Sequence, residues 1–208
     1  MPVTELALLR IKHAPRFTEA MDALHRAVNQ QFLWSQFPVR IFRQVEDTSL
    51  VYLLGGWQSI VAHLEDWIPS DPNQKALSTL AEHFSIEWMF HVDIEPSKHW
   101  DLIQAPMLSI NRYFVKQGRG KDFQDLFATR TRRLENYIGE HLNNFAGGWR
   151  LDPEGSEGEF VFFSAWDDAK KLDEALDEDR GYYEFTSAKT IVIGVEMKNA
   201  VFEFETSK

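Results

Sequence analysis

The chain has 208 residues, of which 44% are hydrophobic and 26% charged, so it can bury a core and lacks the composition of a disordered segment. Its 22 Lys and Arg residues against 32 Asp and Glu give a formal net charge of -10, which argues against duplex nucleic acid as a partner, because that binding needs cationic groups to displace counterions. The absence of cysteine excludes disulfide bonds, thiolate metal sites and a cysteine nucleophile.

The sequence contains no obvious targeting or membrane segment. Its first residues, Met1 to Glu5, lack the basic and apolar regions that are typical of a secretory signal peptide. No apolar run is long enough to span a bilayer as a helix. We therefore expect a cytoplasmic globular protein that makes no contact with a membrane.

In the first half, changes of hydrophobic period predict a succession of strands and helices. A helix is indicated where apolar residues recur at steps of three and four, and a strand where apolar and other side chains alternate strictly. The predicted elements are a strand at residues 6–11, a helix at 17–32, a hairpin at 39–45 and 49–54, helical regions at 60–67 and 77–84, and a strand at 85–94.

The second half repeats this order. A strand at residues 108–115 precedes a Gly-containing loop and a long helix that ends near Gly147 and Gly148. A hairpin, a helix rich in Asp and Lys, and a strand complete the repeat, at residues 149–151 with 159–165, 167–176 and 191–197. One further predicted strand, residues 201–205, has no counterpart in the first half.

Each half therefore has the order β-α-β-β-α-β, which is that of a ferredoxin-like unit with helices on one face of its sheet. The predicted fold class is α+β, with two tandem ferredoxin-like units at residues 1–95 and 107–208 and a polar linker at 96–106. The open faces are expected to pack sheet against sheet within one chain. Such a chain can be a monomer, and the extra strand can cover an edge or contact a second chain in a homodimer.

Two segments carry a resemblance to a known family. They are LLGGWQSIVAH at residues 53–63 and FFSAWDDA at residues 162–169, and each reads as an apolar strand, a tryptophan, a polar cap and a helix. The chain resembles the antibiotic biosynthesis monooxygenase branch of the dimeric α+β barrel superfamily, whose members often have a histidine six or seven residues after that tryptophan. The loop at residues 118–123 is similar to the family's entry to its first helix, so the chain resembles a tandem member.

The resemblance implies an intrachain dimeric α+β barrel with a hydrophobic pocket in each unit. It also implies a cofactor-independent monooxygenase of secondary metabolism that oxidises a hydrophobic aromatic small molecule, such as a polyketide or quinol, through a substrate anion that reduces dioxygen. No cofactor is expected. Trp57 and Trp166 match the family tryptophan and His63 matches its histidine, whereas Lys171 or Leu172 stands at the equivalent place in the second half.

For each candidate residue a structural role competes with a functional one. Trp57 and Trp166 either bind substrate by stacking or close the end of a core. His63 is either a general base or a histidine on a helix surface. Asn111 is either a catalytic hydrogen-bonding group or a structural amide, and strand parity alone does not show whether it faces a pocket. His91 is expected to point between the sheets and to make a structural hydrogen bond.

Other functions stay open at this point. A cyclase or decarboxylase on the same fold would move protons without dioxygen. A non-catalytic ligand-binding or stress-related barrel would explain the missing second histidine, and haem degradation would use His63 as the axial ligand. The sequence lacks the motifs typical of nucleotide binding, serine hydrolases and zinc proteases. Its seven histidines show no metal-ligand spacing.

Overall fold

The computed structural model describes residues 1–99, 102, 104–138, 145–152, 158–178 and 190–206. The chain divides into two compact units, the first formed by Met1–Lys98 with Ala200–Lys208 and the second by His99–Asn199. Helices and antiparallel strands occur in both, so the prediction of an α+β fold is confirmed. Within the described ranges, no helix has the length and apolar character needed to cross a membrane.

The first unit consists of an antiparallel sheet and two helices. Its strands are ordered β4-β1-β3-β2, and the end of β8 (Val192–Glu205) lies beside β2. In chain order its elements are β1 (Val3–Ile11), a 3-10 turn (Ala14–Arg16), α1 (Phe17–Ser35), β2 (Arg40–Gln44), β3 (Leu50–Trp57), a π-helical turn (Ala62–Trp67), α2 (Asp71–His83) and β4 (Phe84–Val92).

Helix α1 packs on this sheet through the apolar residues that the sequence places at steps of three and four. Met21, Leu24 and Val28 are buried in one cluster with apolar residues of the first three strands. The helix ends at Gln36, which has a left-handed backbone with φ 62° and donates its N–H to the Phe32 carbonyl at 2.9 Å. The predicted helical period therefore corresponds to the buried face.

The second unit has a similar element order. It contains β5 (Met107–Val115), α3 (Gly120–Ile138), β6 (Phe145–Trp149), β7 (Glu159–Trp166), α4 (Ala169–Glu178) and the first part of β8. The strand order is β8-β5-β7-β6. Its described core is rich in aromatic rings from β5, α3, β6 and β7, which contact one another at 4.9 to 6.1 Å between centroids: Tyr113, Phe123, Phe127, Trp149, Phe160 and Phe162.

The end of the chain differs from the prediction. The sequence predicts two strands, at residues 191–197 and 201–205, but β8 is continuous from Val192 to Glu205. The intervening Lys198, Asn199 and Ala200 include no proline or glycine that would end a strand. From Ala200 onwards β8 pairs with β2, so the extra strand covers a sheet edge of the first unit.

Candidate functional site

A cavity of about 400 Å³ lies within the first unit, lined by residues of the sheet and of both helices. Its volume is in the range of small-molecule sites. Most of the lining is apolar, with side chains such as Leu24, Val28, Leu53, Leu80, Phe84 and Met89. Four buried polar residues line it as well: Glu5, Gln31, His63 and Asn73.

Glu5 is a buried carboxylate in the central strand β1, only 5% exposed. Its Oε2 accepts hydrogen bonds from Gln31 Nε2 on α1 and from Trp57 Nε1 at the end of β3, both at 2.7 Å. Both bonds end on the same oxygen, and no described residue donates to Oε1. A buried carboxylate needs such donors, because burial removes its hydration. Glu5 therefore has one satisfied oxygen and one that is available to a guest in the cavity.

Gly55 makes room for the hydrogen bond between Gln31 and Glu5. Gly55 is the β3 residue opposite Glu5 in the strand ladder. A Cβ atom at this position would lie 2.6 Å from Gln31 Nε2 and 3.2 Å from Glu5 Oε2. A side chain there would force Gln31 to move, so the glycine is required by a close approach.

His63 is held between an indole and a second imidazole. It begins a wide turn in which the Ile68 N–H donates to the His63 carbonyl at 2.9 Å, and such π-helical turns are frequent at functional sites. The His63 ring is stacked on Trp57, with centroids 4.2 Å apart and planes 5° from parallel. Its Nδ1 lies 2.7 Å from His91 Nε2. These contacts fix the orientation of a ring that lines the cavity.

His91 does not point between the sheets as predicted, because its ring contacts His63 of the π-helical turn. The pairing of β1 with β4 shifts by one residue, so Leu9 is opposite Ile86 while Leu8 is opposite Trp88. This irregularity breaks the strict alternation that the sequence suggests, because one extra residue changes which side chains share a face. Downstream of it, His91 is opposite Glu5, and it contacts His63.

The contact between His63 and His91 couples the positions of their protons. In a hydrogen bond between two neutral imidazoles, one nitrogen donates and the other accepts. If His63 Nδ1 donates to His91, the other nitrogen of His63, Nε2, has no proton and can accept one. If His91 Nε2 donates to His63 Nδ1, then His63 Nε2 carries the proton and can donate it. A histidine is suited to proton transfer near neutral pH, so the pair can set whether His63 takes or gives a proton.

In the second unit, the tryptophan at the end of β7 makes a different contact. Trp166 is half-buried and donates its Nε1–H to Ser164 Oγ at 2.9 Å, within its own strand. Six residues further on, where the first unit has His63, the second has a buried Leu172. Lys171 is exposed and pairs with Asp167.

Asn111 is buried on β5, on the side of the aromatic core. Its neighbour Arg112 points to the opposite face, where it forms ion pairs with Glu159 and Glu196. Asn111 Oδ1 is buried and has no hydrogen-bond partner among the described residues. By ladder position Asn111 corresponds to Ala7 of the first unit, since Asn111 is opposite Phe162 as Ala7 is opposite Leu53.

The structure thus brings together Trp57 and His63 of the predicted site and places Asn111 and Trp166 in the other unit. Three polar residues of the cavity lining do not appear among the sequence-based candidates: Glu5, Gln31 and Asn73. The sequence does contain an indication of Glu5, because this carboxylate interrupts the largely apolar strand VTELALLRI and is therefore expected to be buried with the strand. Among the residues described, no group of three side chains is arranged to hold a metal ion.

No family model and no curated protein matches this sequence. Solved structures do match it over nearly its whole length. A candidate monooxygenase from Fusobacterium nucleatum gives a TM-score of 0.69 at 12% identity, over 100% of this chain and 94% of that one. An anthrone oxidase-like protein gives 0.66 at 13% identity, over 99% and 93%. A haem-binding protein from Thermus thermophilus gives 0.60 at 12% identity, over 98% and 91%.

At such low identity, this similarity shows the fold alone. The chain shares the α+β fold of these solved structures, in agreement with the fold class predicted from the sequence. The same fold occurs in proteins named for oxidation and for haem binding, so the function has to be argued from the side chains of the cavity.

Proposed function

We propose that the first unit is a cofactor-independent monooxygenase site for a hydrophobic aromatic small molecule. The observation that supports it is an apolar cavity of about 400 Å³ whose polar residues include a His63 paired with His91 and a buried Glu5. Apolar walls with few polar groups are typical of sites that bind and orient such a compound. Two proteins of the same fold are named as a candidate monooxygenase and as anthrone oxidase-like, which agrees with this proposal.

In the proposed reaction, His63 removes a proton from an activated C–H group of the bound compound. The resulting anion gives one electron to dioxygen, and the substrate radical and superoxide combine to form a C–O bond. The peroxide takes the proton back from His63 and loses water as the C=O bond forms. The balance is RCH2R′ plus O2 to RC(=O)R′ plus H2O, and the substrate supplies all the electrons.

The neighbours of His63 would act by positioning it. Trp57 holds the imidazole by stacking, and His91 determines which nitrogen carries a proton. The apolar lining would exclude water from the anion and the peroxide. A direct contact between Trp57 and substrate stays a prediction, and in this proposal Trp57 is a positioning residue.

Asn111 and Trp166 are proposed as site residues of the second unit. The support for Asn111 is its buried Oδ1, for which the described residues provide no donor. A ligand hydroxyl could donate to this atom. Trp166 is half-buried, so part of its ring stays accessible for stacking.

Haem does not suit the lining of the first-unit cavity. Its described walls include no Lys or Arg to pair with two propionates, and they include the carboxylate of Glu5. His63, which the sequence offers as an axial ligand, is stacked on Trp57 and bound to His91 through Nδ1. We therefore expect that the cavity does not bind haem, and that a haemin titration shows no Soret shift.

The test is oxygen uptake by the purified chain with anthrones and naphthols. We expect one O2 consumed per ketone formed, with no metal or flavin added. His63→Ala should lower kcat about 100-fold or more, the usual range for loss of a general base. The exposed His13→Ala is the matched control and should leave kcat unchanged.

Three outcomes would contradict the proposal. Product formation without oxygen uptake would indicate a cyclase or decarboxylase. Binding without turnover would indicate a ligand-binding protein. Equal activity of wild type and His63→Ala would exclude His63 as the base.

We also propose that the chain is a tandem repeat of ferredoxin-like units, with residues 96–106 as the linker. The supporting observation is the ladder register, in which Trp57 is opposite Val3 and Trp166 is opposite Met107. In each unit, therefore, a tryptophan ends one strand and lies opposite the first residue of the neighbouring strand, β1 or β5. The sheet-against-sheet packing expected from the sequence stays a prediction.

A further inference from the structure

Among the described residues that line the cavity, Glu5 is the one whose charge the proposed reaction leaves unused. It lines the cavity, and its Oε2 is occupied by Gln31 and Trp57. Because no described residue donates to Oε1, a bound molecule can supply the missing donor. A guest that donates a hydrogen bond to this carboxylate oxygen gains affinity, because hydrogen bonds to carboxylates are stronger than those between neutral groups.

We propose that Glu5 Oε1 accepts a hydrogen bond from the hydroxyl group of an uncharged aromatic guest, so that the cavity selects phenols and enols over carboxylates. This inference rests on the proposed function, because it names the substrate class of the same cavity. An ionised Glu side chain offers only acceptors, and a neutral phenol or enol hydroxyl is a single donor. A hydrogen bond to a charged acceptor is also stronger than one between neutral groups.

The charge of the cavity explains the selection. No Lys or Arg is found among its described lining residues, so an anionic guest would be buried beside Glu5 without a counter-charge. An ammonium guest would pair with Glu5, but at the cost of removing a second full charge from water. A neutral hydroxyl avoids both penalties.

Hydrogen bonds from two neighbouring elements fix the position of the Glu5 carboxylate. Gln31 and Trp57 hold Oε2 from two different elements, and Gly55 provides the space for Gln31. A fixed acceptor gives orientation as well as affinity. The hydroxyl of the guest would point toward β1, and its rings would lie among the apolar residues.

The test is calorimetric binding, under anaerobic conditions, of 2-naphthol, naphthalene, 2-naphthoate and 2-naphthylmethylammonium. For wild type we expect 2-naphthol to bind about tenfold more tightly than naphthalene, and the naphthoate more weakly than either. This panel needs no variant, so it decides the proposal even if changes at Glu5 impair folding. Equal affinity for naphthol and naphthalene, or tighter binding of the naphthoate or the ammonium compound, would overturn it.

Glu5→Gln adds a second test. The Gln oxygen can still accept from Gln31 and Trp57, and its NH2 group then replaces Oε1 as the group facing the guest. We expect the preference for naphthol over naphthalene to fall to about twofold or less, with unchanged naphthalene binding as the check that the cavity is intact. Glu82→Gln, at an exposed position of α2, is the control and should bind like wild type.

These results separate the two proposals. If naphthol is preferred but no oxygen is consumed with any substrate, the monooxygenase proposal fails and the ligand class stands. If oxygen is consumed at equal kcat/KM by wild type and Glu5→Gln, the role of Glu5 fails and the monooxygenase proposal stands.

Discussion

The two units satisfy the same indole N–H in different ways. In the first, Trp57 donates across the sheet to Glu5 of the neighbouring strand. In the second, Trp166 donates to Ser164, two residues back in its own strand. The ladder makes the positions comparable, because Glu5 is opposite Gly55 where Ser109 is opposite Ser164.

The comparison shows how one fold position can become a polar site or a local structural contact. In the second unit, the Ser164 hydroxyl accepts the hydrogen bond of the Trp166 indole N–H from within the same strand. A glycine at Gly55 leaves the tryptophan in need of an acceptor and opens space for Gln31, so a carboxylate can be buried there. The cavity-lining Glu5 carboxylate and the histidine pair belong to the first unit, which is where we place the chemistry.

The largest expected difference between the two units is in the free energy of unfolding after replacement of their tryptophans. Trp57→Phe removes a buried indole and one of the two donors to Glu5, so we expect a loss of about 2–4 kcal/mol. Trp166→Phe removes a half-buried indole N–H whose one described hydrogen bond is to a hydroxyl in its own strand, so the expected loss is under about 1 kcal/mol. Urea denaturation of both variants measures the difference, and equal losses would contradict it.

The next effect is on turnover. His91→Leu removes the partner of His63 Nδ1, so we expect kcat to fall about tenfold while KM stays within about twofold. His91→Gln, which can still form a hydrogen bond, should recover part of the loss. A change in KM alone would mean that His91 shapes the cavity rather than orienting His63.

The glycine of the first unit can be compared with the serine of the second. Gly55→Ala places a Cβ where Gln31 now lies, so Gln31 should be displaced at a cost of about 1–2 kcal/mol. Ser164→Ala should cost about 0.5–1 kcal/mol, because it removes one partly exposed hydrogen bond. Thermal unfolding compares the two, and a stabilised Gly55→Ala variant would show that the hydrogen bond from Gln31 to Glu5 is not needed.

Asn111→Ala tests whether catalysis is confined to the first unit. The change introduces the residue found at the corresponding position, Ala7, and removes a buried acceptor that lacks a described donor. We expect kcat for oxygen uptake to change less than about threefold, well below the effect of His63→Ala. A loss as large as that of His63→Ala would place the chemistry at Asn111 in the second unit, in the catalytic role that the sequence predicts for it.

The smallest effect concerns the β2–β3 turn of the first unit. The hydroxyl and the N–H of Ser49 donate to Asp47, and these bonds, with Arg10, hold the pKa of Asp47 below its ordinary value against a smaller effect of desolvation. A lowered folded-state pKa adds stability above the unfolded value, and this is lost as pH falls through the folded value. Asp47→Asn should therefore be slightly less stable than wild type at pH 7, and the difference should shrink as the pH falls below the ordinary pKa of an Asp carboxyl. A constant difference in denaturation midpoint would contradict this.

Much of the fold could be predicted from local patterns. The apolar steps of three and four in α1 correspond to its buried face, and the repeat of element order is present in both units. Two features could not be read in this way. The irregularity between Leu8 and Leu9 depends on how β1 and β4 pair, and the continuity of β8 depends on its pairing with β2. Both are set by partners distant in sequence.

The site was predictable only in part, for the same reason. Trp57 and His63 lie six residues apart, so one local motif contains both. Glu5, Gln31 and His91 come from three separate elements and meet only in the folded unit. A buried carboxylate in an apolar strand is visible in the sequence, but its donors are not.

The most direct test is a crystal structure of the chain with 2-naphthol bound. We expect the rings in the first-unit cavity and the naphthol oxygen within about 3 Å of Glu5 Oε1, a normal hydrogen-bond distance, with the imidazole of His63 facing the guest. Binding outside the first unit, or a cavity closed by its own apolar side chains, would contradict the assignment of the site to the first unit.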